Sequence, residues 1–176
     1  MKKVMLFTIF VALMIISSAA VAQTASGTLS VTATVTGSIN LVFNSDASGV
    51  ALSSGAGTNA ATLAFGNVSA FGAISAGIVR STAANNFTVS SAVDVLVTKT
   101  NSASANYTLK AQLGAADAVN TWTIGGIAVS NAAQSTVTAT GAYAANSNFP
   151  VAITVPFTTA SGTLISNTIS YLATAN

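Results

Sequence analysis

From Thr28 to Phe43 the chain reads TLSVTATVTGSINLVF. Every odd position is apolar, alanine or glycine, and the even positions up to Asn40 are threonine, serine or asparagine. Successive side chains along a strand point to opposite faces, so a strict period of two predicts a half-buried β-strand. The fifteen residues from Leu29 to Phe43 would span roughly 50 Å at about 3.4 Å each, whereas ordinary strands run to about five or six residues. Gly37 divides the run. Leu29 to Val35 reads as an N-terminal arm, Ile39 to Phe43 as the first strand of a body, and Gly37-Ser38 as the hinge between them.

The same rule recurs downstream. Phe87, Val89, Ser91, Val93, Val95 and Val97 share one parity. So do Tyr107, Leu109, Ala111 and Leu113, and again Phe149, Val151, Ile153, Val155 and Phe157. Each set predicts the inward face of one strand. Pro150 and Pro156 lie on the other parity of the last set. Proline cannot donate to a ladder, so that segment is expected to run along a sheet edge or to be broken at its ends. Shorter runs at 61–68, 121–129 and 136–140 predict further strands, and the closing stretch places Ile165, Ile169 and Tyr171 on one side. Between them lie turn-rich stretches such as NSDASG (44–49), SSGAGTN (53–59) and YAANSN (143–148). Eight or nine strands, with no helical period downstream of the first segment and no fixed internal repeat, predict an all-β, immunoglobulin-like antiparallel β-sandwich without the Cys-Trp-Cys marker.

That first segment changes the charge picture. Lys2 and Lys3 precede an apolar run from Val4 to Ile16, and Ala20-Val21-Ala22 forms a small-residue cleavage pattern. Residues 1–22 therefore read as a signal-peptide helix, too short for a permanent membrane span. The organisation expected is signal peptide 1–22, arm 23–37 and body 38–176. Without the signal the chain keeps Arg80, Lys99 and Lys110 against Asp46, Asp94 and Asp117, a net charge of zero. Three scattered cations make no footprint for nucleic acid. So few charges favour self-association over repulsion. An outer-membrane barrel is disfavoured, because the aromatics do not bracket the strands as interfacial girdles do.

The inventory also bears on chemistry. Histidine, cysteine and glutamate are absent, which removes ordinary zinc, copper or haem ligation, the Ser-His-Asp triad and the Cys-His pair. No cofactor or metal is expected, and an enzyme is disfavoured. Asp46 reads as an Asx-turn residue and Asp94 as a charge on a solvated or inter-subunit face. Trp122 reads as core, and exposure of its ring would instead favour carbohydrate binding.

The alternating N-terminal run, TLAFGNVSAFG at 62–72 and the ending SNTISYLATAN together resemble the fimbrial and spore coat protein U-like secreted subunits related to chaperone-usher pilins. Many such pilins carry a disulfide, which this chain cannot form. The resemblance implies a structural subunit of an extracellular bacterial filament or surface coat, exported through the periplasm to the cell surface. It implies assembly by β-strand donation into other copies of the same chain, with a periplasmic chaperone and an outer-membrane usher as helpers. Under that reading Leu29, Val31, Ala33 and Val35 are the donor-strand plugs. The alternative is a self-complemented monomer on the same fold, serving as a glycan-binding or adhesion module. Periodicity cannot separate the two, because a strand buries the same face whichever chain supplies its partner.

Overall fold

The computed structural model describes residue 26 and residues 28–176, so the signal-peptide reading of 1–22 lies outside the described residues. The chain divides into two compact units, residues 1–34 and 35–176. In the first, the described residues 28–34 form no strand, and Leu29 and Val31 are 88% and 80% exposed. Alternation fixes which side chains share a face, but a strand also needs a ladder partner.

The second unit is all-β. Among the described residues there are eleven strands and no helix. They are β1 (Ser38–Ser45), β2 (Val79–Thr82), β3 (Asn86–Ser91), β4 (Val93–Thr100), β5 (Tyr107–Leu113), β6 (Thr121–Ile124), β7 (Ile127–Val129), β8 (Ser135–Gly141), β9 (Asn146–Asn148), β10 (Val151–Pro156) and β11 (Ile169–Ala175). Every pairing is antiparallel, in three sheets ordered β1-β4-β9, β2-β3-β10-β6-β7 and β11-β5-β8.

The packing is sandwich-like. Ala111 and Leu113, in the second half of β5, meet Phe87, Val89, Trp122, Ile124, Ile153 and Val155 of the five-stranded sheet. Tyr107 and Leu109, in its first half, meet Val95 and Val97 of β4. The sheet around β5 therefore forms one layer against two others. Val137, Phe149 and Tyr171 touch both clusters and join them into one core.

Four expectations are corrected. The 87–97 run is two strands, broken at Ala92, with β3 and β4 in different sheets. Parity survives the break, since Ser91 and Val93 are both buried, so a period of two carries no trace of it. Loop backbone presses on the break: a Cβ on Gly49 would lie 2.2 Å from the Ala92 carbonyl oxygen. The Ser91 hydroxyl accepts the Val50 N–H at 2.7 Å, which satisfies the one buried polar residue there.

The 121–129 run is a hairpin, β6 and β7, turning at Gly125 and Gly126 with φ of 56° and 82°. Two consecutive positive φ values match the twist of a two-residue hairpin, and glycine adopts them without a Cβ penalty. The 61–68 run is not a strand. Ala61, Leu63 and Phe65 are half-buried in alternation, but the only ladder link there is the bridge from Thr62 to Ser54. Finally, the total is eleven strands where eight or nine were expected. The two-proline segment resolves to the second of its options, because β10 is central, with Pro150 just before it and Pro156 as its last residue.

Candidate assembly interface

A sheet edge presents unpaired N–H and C=O groups, and a stable monomer must blunt or cover them. Most edges of this body are managed. Beside β2, the Arg80 guanidinium clasps a loop, donating from Nη1 to Ser69 O at 2.9 Å and from Nη2 to Gly72 O at 2.8 Å. The link from β7 to β8 is tied down by the Ser135 hydroxyl on Ala128 O and the Leu113 N–H on Ser130 O. β9 is three residues long. β8 pairs with β5 through two register shifts, and such bulges twist an edge away from new partners. On β1 the protection is confined to Phe43, which exchanges backbone bonds with Thr58 and Gly57 at 2.8 and 2.7 Å.

Among the described residues, β11 has none of these devices. Its seven residues, ISYLATA, pair with β5 in unbroken register from Ile169↔Leu113 to Ala175↔Tyr107. It contains no charge, no proline and no bulge. Thr168 O accepts the Gly114 N–H at 2.7 Å, and the Asn176 N–H donates to Asn106 O at 3.1 Å. By antiparallel alternation the even-numbered residues bond β5. The main-chain groups of Ile169, Tyr171, Ala173 and Ala175 therefore face the open side.

Of those odd residues, Ile169, Tyr171 and Ala173 pack their side chains against the core and are half-buried, while Ala175 is exposed. Leu41, Phe43, Tyr171 and Ala173 are half-buried against the Val95, Val97, Tyr107, Leu109 cluster. Phe43 of β1 and Tyr171 of β11 meet edge to face, with centroids 5.1 Å apart, a favourable aromatic geometry. Burial pushes the Tyr171 phenol up, so it stays neutral across the working range of pH. Beyond that pair lies an open hollow of about 380 Å³ lined by Gly37, Ser38, Ile39, Asn101, Ser102, Ala103 and Ala175. The outer face of β11 carries Leu172, 47% exposed.

Val35 is 74% exposed and precedes Gly37, whose backbone rests on the 101–102 turn; a Cβ at Gly37 would lie 2.6 Å from Asn101 O. Of the residues singled out from sequence, Gly37 thus borders the hollow, while Leu29, Val31, Ala33 and Val35 are all exposed and outside any strand. The residues that sequence reasoning missed are Tyr171, Ala173 and Ala175 as an open edge. Their parity showed which face they use but not that one neighbour is lacking.

The other candidates have structural roles. Trp122 is 5% exposed, and its indole N–H donates to Asp117 Oδ2 at 2.8 Å. It is core, so no Trp122 platform for a sugar is presented. Burial would raise the Asp117 carboxyl, but hydrogen bonds from Asn120 N–H, Trp122 Nε1, Asn120 Nδ2 and Val119 N–H together outweigh it and hold the pKa at about 2. Asp46 Oδ1 accepts the Ser48 N–H at 2.7 Å, an Asx turn, and Ser48 holds its pKa below the usual range. Asp94 accepts from Asn148 Nδ2 at 3.3 Å. Among the described residues no group of three metal-ligating side chains occurs, and no helix is long and apolar enough to cross a membrane.

Comparison with protein-family models, with curated proteins and with solved structures finds no match for this chain.

Proposed function

We propose that this chain is a secreted structural subunit of an extracellular bacterial filament or surface coat, built on an immunoglobulin-like sandwich that lacks one strand. Subunits join by β-strand donation. The arm of one copy lies along β11 of the next, so that Leu29, Val31, Ala33 and Val35 cover the half-buried Leu41, Phe43, Tyr171 and Ala173. Main-chain hydrogen bonds supply affinity and the alternate side chains supply fit. Burying each of the three larger plugs contributes about 1.5–3 kcal/mol. During export a periplasmic chaperone holds the same edge, and an outer-membrane usher releases it to the neighbour.

One observation carries this reading: the seven-residue β11 edge has no charge, proline or bulge and, among the described residues, no strand paired on its open side, in a chain that also holds an alternating segment outside any strand. Donation between copies is favoured over a hairpin within one copy. A tight hairpin returning the arm along β1 needs positive φ in its turn, and among the described residues none from 28 to 44 has it.

The test is deletion of residues 28–36 from the secreted chain, read by electron microscopy and sedimentation. The full chain is expected to form polymers and the deleted chain to remain a folded monomer. A full chain that stays monomeric, and is unchanged in size by the deletion, would overturn the proposal.

A further inference from the structure

Three triplets of the chain have the form Asn-X-Ser/Thr without proline in the middle: Asn67-Val68-Ser69, Asn86-Phe87-Thr88 and Asn106-Tyr107-Thr108. In exported chains such triplets accept an oligosaccharide on the asparagine amide where they stand on a surface loop. A chain rich in Asn, Ser and Thr produces the pattern by chance, so the fold must separate a usable triplet from the rest.

Two of the three are built into the sandwich. Asn86 opens β3 and is half-buried, Phe87 is core, and the Thr88 hydroxyl lies 2.7 Å from that of Thr154 on β10. Asn106 is half-buried just before β5, where its Oδ1 accepts from Asn176 Nδ2 and Thr108 Oγ1 donates to Asn176 Oδ1 at 2.8 Å. Tyr107 between them is fully buried. Neither triplet can enter a transferase without opening a strand pairing.

Asn67 differs at each point. It is exposed, on irregular backbone between the Ser54–Thr62 bridge and β2. Gly66 before it has a φ of 66°, and a Cβ there would meet nothing within 4 Å, so the turn that presents Asn67 opens to solvent. The loop is held in place nonetheless. Val68 packs against the core, the Ser69 hydroxyl donates to Phe71 O at 2.6 Å, and Arg80 holds Ser69 O and Gly72 O. The Asn67 amide takes part in none of these bonds.

We infer that Asn67 is an N-glycosylation site. The inference goes beyond the filament reading and rests only on its export step. The donor is an oligosaccharide carried on polyprenyl diphosphate. Asn67 Nδ2 bonds to the anomeric carbon, the bond from that carbon to the diphosphate oxygen breaks, and polyprenyl diphosphate leaves with the electron pair while Nδ2 gives up one proton. Nothing is oxidised or reduced. The modification suits the surface: beyond residue 22 the chain carries three cations and three anions, and Phe71 in the same loop is 73% exposed. A hydrated saccharide there supplies solubility that charge does not.

The test is intact-mass and peptide mapping of the full chain purified from the cells that produce it. The expected result is a mass above that of the polypeptide, abolished by Asn67→Gln and by Ser69→Ala, kept by Ser69→Thr, and unaffected by Asn86→Gln or Asn106→Gln. Asn67 and Ser69 are exposed and the Arg80 clasp uses backbone carbonyls, so these variants are expected to keep the parent circular dichroism. An exported chain with Asn67 unmodified, or excess mass that survives Asn67→Gln, would overturn the site and leave strand donation standing. A chain glycosylated at Asn67 that never polymerises would overturn strand donation and uphold the site. In a second measurement the folded full chain is incubated with a membrane oligosaccharyltransferase and polyprenyl-diphosphate oligosaccharide. Transfer to Asn67 alone is expected, and to all three asparagines after denaturation. Transfer to Asn86 or Asn106 of the folded chain as readily as to Asn67 would contradict the selection by the fold.

Discussion

β8 and β11 flank the same central strand and end as edges of the same sheet, yet they differ in what they leave open. β8 meets β5 through four paired positions and two register shifts. β11 meets it through seven consecutive pairs without a shift. A bulged edge cannot template a straight neighbour, whereas a flat, uncharged edge can. The layer thus carries a protected edge on one side and an open edge on the other, and chain length or composition alone does not explain why only one is protected. Asymmetry of this kind suits an assembly that grows through one edge.

The sharpest way to break the comparison is proline on the open edge of β11. Ala173→Pro removes an N–H that faces the open side and puts ring atoms in the path of an incoming strand, while the even-numbered bonds to β5 remain. It is expected to reduce assembly about a hundredfold, equivalent to roughly 3 kcal/mol, with the monomer still folded by circular dichroism. A charged residue on the other edge, Thr140→Lys on exposed β8, is expected to leave assembly unchanged. Equal loss from both would show that the two edges are not functionally distinct.

A milder change sharpens the contrast. Leu172→Glu places a carboxylate on the outer face of β11, directly opposite Lys110. That cross-strand pair is neutral to slightly stabilising for the monomer. The charge nevertheless sits on the edge to be covered, so assembly is expected to fall several-fold by light scattering, with the unfolding free energy of the monomer within about 0.5 kcal/mol of the parent.

The smallest effect separates the edge from the body by pH. β11 holds no carboxylate, so assembly is expected to be flat from pH 8 to 5. Asp117 has a folded pKa of about 2, below the ordinary value near 3.9. Its contribution to stability is therefore complete above the unfolded pKa and is lost as pH falls from about 4 toward 2. Acid is expected to lower the unfolding midpoint across that window and to shift Trp122 emission with it. Asp117→Asn should flatten the dependence; a wild-type midpoint constant from pH 5 to 2 would contradict the role given to this carboxylate.

How much of this was legible in the sequence follows from what periodicity encodes. A period of two reports which face is buried, and Tyr107, Leu109, Ala111 and Leu113 are buried as that rule predicts. The rule is blind to ladder partners. It joined β3 to β4 because parity runs through Ala92 while the sheet changes, and it made a strand of 61–68, where side chains alternate without a neighbour. The hairpin at Gly125-Gly126 was signalled by its paired glycines, a turn cue that outweighs continuity of the apolar pattern. The arm was visible as Leu29, Val31, Ala33 and Val35. The open edge of β11 was not, because an edge is defined by the sheet order, and no residue of β11 spells its place in that order.

Amide hydrogen exchange resolved along β11, in the monomer and in the assembled form, tests the central claim most directly. In the monomer Ser170, Leu172 and Thr174 are expected to be protected by β5, while Ile169, Tyr171, Ala173 and Ala175 exchange quickly. On assembly the odd-numbered amides should become protected as well, which erases the alternation. An assembled form in which Tyr171 and Ala173 still exchange as fast as in the monomer would contradict the claim that this edge receives the donated strand.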